Sequence, residues 1–234
     1  MNNQGLQEQP GSFGGYASLA VDRQRVLRNT YLLLALSLIP TVIGAAIGTN
    51  IDMSFMRTNP IVSFIAMLAF FYGGIWLIER NRDSSMGVVY LLAFTFFMGL
   101  LLGPLLAKVV GLRNGSQLVM LAAGGTAAVF FGMSALASST KRDFSKLSGF
   151  LTVGAIVIML AVVANLFFQS PLLHIVLLAG FVVLSSVMIL WQINEIVRGG
   201  ETNYISATLS LYISIYNLFS SLLQLLGIVG ADRD

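Results

Sequence analysis

A hydrolytic site within a membrane needs a nucleophile and a base, and this chain offers one weak pairing. Gly132-Met133-Ser134-Ala135 gives a serine the small-residue setting that an intramembrane nucleophile favours. His174, the single histidine, is the one imidazole able to take its proton. The apolar segments that carry them place Ser134 near the inner end of the fourth span and His174 at the outer end of the sixth. A hydrogen bond between them is then out of reach. Other chemistries fail sooner. His-Glu-x-x-His zinc ligation needs a second histidine, an intramembrane aspartyl site needs two membrane aspartates, and every Asp here falls in a tail or loop. The last span has no lysine for a Schiff base, and the chain has no cysteine. No catalytic residue, metal site or cofactor is therefore expected, and the chain is read as a non-enzyme.

The polar groups that do lie inside apolar sequence are uncharged. In the last long segment they recur as Asn203, Ser206, Ser210, Ser214, Asn217, Ser221 and Gln224, at steps of 3, 4, 4, 3, 4 and 3. That spacing puts all seven along one stripe of a helix whose other faces carry Leu, Ile, Phe and Tyr. A helix too apolar for water yet striped with amides and hydroxyls belongs among other membrane helices. It is expected at the centre of a bundle, the seventh helix surrounded by the other six. No Asp, Glu, Lys or Arg falls well inside any span. An ionisable group at mid-membrane costs about 2.5 to 3.5 kcal/mol or more and is usually kept for ion pathways or proton relays.

The elements that must hold this stripe follow from composition. Of 234 residues, 56% are hydrophobic and 10% charged, with a mean hydropathy of +0.84. Soluble domains carry about 25% charged residues. Apolar segments at 30–49, 60–78, 86–107, 117–137, 147–168, 172–193 and 204–229 are each long enough for roughly 30 Å of hydrocarbon. The fold expected is an all-α membrane protein with seven transmembrane helices in one domain, residues 22–234. Residues 1–21, rich in Gly, Gln, Asn and Ser, read as a disordered cytoplasmic tail and not as a signal peptide.

Lys and Arg set the orientation. With the N-terminus inside, the inner segments hold Arg23, Arg25, Arg28, Arg80, Arg82, Lys141, Arg142, Lys146 and Arg198, against Arg57, Lys108, Arg113 and Arg233 outside. The bias predicts a cytoplasmic N-terminus and a C-terminus on the far side. A net charge of +3 and a pI near 9.4 come from these helix-end residues and give no reason to expect nucleic acid. Gly44 with Gly48, and Gly99 with Gly103, are small-xxx-small pairs; Gly124, Gly125, Ala128 and Gly132 make a small-residue face on the fourth span. Such faces let helix backbones approach closely, and they are read as packing within the chain.

Several stretches together resemble a known family. They are Val26-Leu27-Arg28-Asn29-Thr30-Tyr31, Gly124 through Phe131, the loop Thr140-Lys141-Arg142-Asp143, and the run Gly199-Gly200-Glu201-Thr202-Asn203-Tyr204-Ile205 continuing through Ser210-Leu211-Tyr212 to Tyr216-Asn217. The chain is similar to the bacterial YccA-like branch of the Bax inhibitor-1 (TMBIM) superfamily over nearly all its length after about residue 21. The resemblance implies seven helices with the last in the middle. Calcium-leak members of that superfamily carry a membrane aspartate in each of the last two helices. The positions that match here are Gln192 and Ser214, a pair that can share a hydrogen bond but holds no formal charge. Glu195 and Glu201 are the acids left near the inner surface that could attract a cation, and they are read as solvated loop charges.

The resemblance further implies a partner. YccA-like proteins are substrates and modulators of the FtsH protease of the bacterial inner membrane, which works with the HflK–HflC complex. The function expected is thus a non-catalytic inner-membrane modulator that slows proteolysis of other membrane proteins. The alternative is a pH-sensitive calcium-leak channel or transporter of the Bax inhibitor-1 type.

Overall fold

The computed structural model describes residues 12–51, 58–140, 144 and 147–231, with side chains from residue 22 onward. Among these residues there are seven long helices and no strand: α1 Ser12–Gly48, α2 Pro60–Arg80, α3 Ser85–Val110, α4 Gly115–Ser139, α5 Leu147–Phe168, α6 Pro171–Arg198 and α7 Tyr204–Ala231. All seven are long and apolar enough to cross a membrane, α1 from Asp22 onward. The chain is a multi-pass membrane protein. Successive spans run in opposite senses, so α1 and α7 start on one face, called here the N-terminal face, and end on the other, the C-terminal face.

Local chemistry sets the helix ends. Pro60 and Pro171 each open a helix, where a missing N–H costs least. Ser170 caps α6 by accepting from the Leu173 N–H at 3.4 Å. The other end of α6 is closed by Gly199 in the left-handed region, φ +82. Asn203 caps α7, its Oδ1 accepting from the Ile205 and Ser206 N–H groups at 2.9 and 3.2 Å. Only Gln169 and Ser170 separate α5 from α6, which form an antiparallel hairpin.

One boundary differs from that reading. The helix of α1 runs back to Ser12, inside the stretch assigned to a disordered tail; residues 1–11 lie outside the described residues. Once the span is helical, each residue added at its N-terminus gains a backbone hydrogen bond without a new nucleation cost. Polar composition alone does not show that. Arg57, Lys141, Arg142, Asp143, Lys146 and Arg233 also fall outside the described residues.

The closest helix pair is α1 with α3, and glycines make it close. A Cβ added to Gly44 would collide with the Phe96 carbonyl oxygen, one on Gly48 with that of Leu100, one on Gly99 with that of Thr41, and one on Gly103 with Gly48 itself. The two small-xxx-small pairs thus face each other, backbone to backbone, within one chain. The face on α4 does something else. A Cβ on Gly124 or Gly132 would meet nothing, and one on Gly125 only the tip of Leu222 at 3.5 Å. The expectation that all three glycine sets pack internally holds for two.

The last helix packs against α1, α3, α4 and α6, and more lightly against α2. Substantial packing of α5 is limited to α6. The expected ring of six helices around the seventh is therefore corrected to five, with α5 standing outside on α6. Leu211, Leu218 and Leu223 of α7 are fully buried, as is Tyr212 but for 1%. The α5 surface carries Phe150, Val153, Leu160 and Phe167, all exposed. A helix apolar on every side does not announce which side has a protein neighbour.

Candidate functional site

The polar stripe of α7 divides into three sites, each facing a different neighbour. At the N-terminal face, Asn203 is a cap and a clasp at once. While its Oδ1 caps α7, its Nδ2 donates to the Arg82 carbonyl at 3.0 Å and to Asp83 Oδ1 at 2.9 Å. Ser206 Oγ donates to Glu79 Oε2 at 2.9 Å, and Arg82 lies 3.5 Å from the same oxygen. These contacts fasten the start of α7 to the α2–α3 turn. Glu201 Oε1 accepts from the Asn203 N–H at 2.8 Å. Glu195 reaches over Gly200, where an added Cβ would strike its Oε2. The described residues hold no group of three His, Cys, Asp or Glu side chains able to bind a metal ion.

At mid-depth Ser214 Oγ donates to Gln192 Oε1 at 3.2 Å, and it also lies 3.1 Å from the Ser210 carbonyl. Both residues are buried, Gln192 at 7% and Ser214 at 1% exposure. Those two sequence positions are brought together, and what they form is one neutral hydrogen bond. Ser210 contributes its backbone carbonyl, the acceptor for the residue a turn later.

A second mid-depth cluster escaped the sequence reading. Thr41 Oγ1 and Tyr212 Oη are 2.9 Å apart, and each reaches the Thr95 carbonyl, at 3.2 and 3.3 Å. Tyr216 Oη donates to the Met98 carbonyl at 3.2 Å, while Thr208 Oγ1 donates within α7 to the Tyr204 carbonyl at 2.6 Å and only passes within 3.3 Å of the Thr30 carbonyl. These bonds lock α7 to α1 and α3. The signal lay in Tyr212 and Tyr216, one turn apart, and in Thr41 beside Pro40, each a polar handle in a span.

Toward the C-terminal face, Asn217, Ser220, Ser221 and Gln224 of α7 line a cavity of about 280 Å³ together with Asn165 of α5 and His174 of α6. Leu177, Leu178 and Phe181 supply its apolar wall. Ser134 stays apart: its Oγ donates to the Phe130 carbonyl at 2.6 Å within α4. The serine and the histidine are not brought together.

Residues 23–231 match the protein family described as inhibitor of apoptosis-promoting Bax1. The chain belongs to the Bax inhibitor-1 family. This Bax inhibitor-1 family protein is 48% identical over 213 residues to an uncharacterized protein of Neisseria meningitidis, an overlap of 90% of this chain and 94% of the relative. It is 46% identical over 217 residues to one of Pseudomonas aeruginosa (91% and 95%). It is also 41% identical over 208 residues to a protein of Escherichia coli (89% and 92%), which carries the name modulator of FtsH protease YccA. The same protein in a second Escherichia coli strain is named inner membrane protein YccA.

Proposed function

We propose that this Bax inhibitor-1 family protein is a non-catalytic modulator, and itself a substrate, of an FtsH-type membrane protease, slowing the breakdown of other membrane proteins. The observation that carries this reading is the full-length similarity to the relative named as modulator of that protease. The interior supports it. Ser214 and Gln192 share a neutral hydrogen bond where a gating pair would hold charge, which speaks against the calcium-leak reading. Glu195 and Glu201 are taken as structural charges, Glu195 in the last turn of α6 lying over Gly200 and Glu201 in the loop after it capping a turn.

In the proposed arrangement the chain sits in the bacterial inner membrane, with the N-terminal face in the cytoplasm and the C-terminus in the periplasm, as the Lys and Arg bias directs. The segment before Asp22 is the handle that the protease grips, and HflK–HflC accompanies the protease. Backbone-to-backbone packing of α1 on α3 and the Thr41–Tyr212–Thr95 lock resist extraction. Grip without release occupies the protease.

Purification from native membranes in mild detergent tests the reading. FtsH should co-purify with the intact chain and be recovered in smaller amount with a chain lacking residues 2–20. Absence of FtsH from the intact preparation would overturn the proposal, and equal recovery would move the handle elsewhere.

A further inference from the structure

The cavity between α5, α6 and α7 is left over by everything above. Its floor is α6, and its two sides are α5 and α7, which both lean on α6 and lack substantial packing on each other. It is a trough in the half of the bundle nearer the C-terminal face, at the place where α5 and α7 lack substantial packing on each other. Its lining is unusual for such a place. The Asn217 amide, the Ser221 hydroxyl and the His174 imidazole have no hydrogen-bond partner among the described residues, although Ser221 is only 3% exposed. Gln224 spends its Nε2 on the Ser220 carbonyl and keeps its Oε1, while Asn165 spends its Oδ1 on the Ser170 N–H and keeps its amide nitrogen. Polar groups facing hydrocarbon without a partner are costly, and proteins rarely retain several together without use for them.

We propose that this trough binds the uncharged, oxygen-bearing head of a membrane-dissolved amphiphile. The charge argument is direct. No Asp, Glu, Lys or Arg lines the cavity, so a phosphate or carboxylate head finds no guanidinium or ammonium, and an ammonium head finds no carboxylate. The amides and hydroxyls offer both donors and acceptors, which suits carbonyl, ester and hydroxyl oxygens. Phe181, Leu177 and Leu178 give the head an apolar face to lie against. A volume of about 280 Å³ holds a head but not a chain, and the tail would leave between α5 and α7, which lack substantial packing on each other. Two natural sources share this chemistry: a prenylated quinone, whose head only accepts hydrogen bonds, and a diacylglycerol, whose head also donates one.

The test is saturation binding to the full chain in lipid nanodiscs, with decylubiquinone and dioctanoylglycerol as probes and dioctanoyl phosphatidic acid as the charged comparison. At least one uncharged probe should bind saturably and at least about tenfold tighter than the phosphatidic acid, and the one that does identifies the source. Asn217→Leu combined with Ser221→Ala should weaken it about tenfold, the loss of roughly two hydrogen bonds. Gln224→Leu, which removes the free Oε1, should weaken it by a smaller factor and serves alone if the double variant does not fold. Saturable binding by neither uncharged probe would overturn the proposal. So would equal binding of phosphatidic acid, or unchanged affinity in folded variants.

Discussion

Ser214 of α7 and Gln192 of α6 are brought together by the fold. Their hydroxyl and amide meet at 3.2 Å in a buried setting, and such a bond within a membrane protein is worth only about 0.6 kcal/mol. The hydroxyl also has the Ser210 carbonyl in reach, so its loss is cushioned. A double-mutant cycle with Ser214→Ala and Gln192→Leu, read by thermal unfolding in detergent, should give a coupling of about 0.5 to 1 kcal/mol. A coupling above about 2 kcal/mol would show that the pair does more than share one neutral bond. The sequence displayed these two positions through a resemblance, and the structure makes them neighbours. Tyr212, Thr41 and Thr95 were not legible in the same way, because a Thr in an apolar run usually returns its hydroxyl to its own helix and the sequence does not show which carbonyl a buried Tyr hydroxyl will meet. Here Thr41 does so, with the Ser37 carbonyl at 2.8 Å, and still comes within reach of Tyr212 and the Thr95 carbonyl.

Among the helices, the contrast between two glycine faces separates packing from exposure. On α1 and α3 every small-xxx-small glycine has a backbone atom where its Cβ would be, and on α4 Gly124 and Gly132 have nothing there. Gly44→Ala or Gly99→Ala should therefore destabilise the chain by about 1 to 3 kcal/mol or more through overpacking. Gly124→Ala or Gly132→Ala should be neutral or slightly stabilising, since alanine favours the helix by up to about 1 kcal/mol. Unfolding midpoints of the four variants check this, and a loss at Gly124 as large as that at Gly44 would contradict it. Spacing alone showed that these glycines line up on helix faces, but not which faces meet. The α7 stripe teaches a related lesson. Its steps average 3.5 residues against 3.6 per helical turn, so it drifts by about 20° per heptad. Over three heptads the stripe turns far enough for Asn203 and Ser206 to reach the α2–α3 turn, Ser214 to reach α6, and Asn217 to Gln224 to face the trough beside α5. One stripe in the sequence is three sites in the fold.

Taken as one body, the chain is a tightly locked set of six helices with a seventh, α5, resting on its side. The seven spans were legible because hydrophobic length is a strong signal, and the place of α5 was not, because its apolar surface is uniform. Its spans carry no mid-membrane acid or base, and where a leak channel would hold charge there is an amide facing a hydroxyl. The most direct measurement of the proposed function is the half-life of an independent FtsH membrane substrate in cells that do and do not overproduce this chain. A lengthened half-life with the chain present is the expected result, and an unchanged half-life would contradict the account.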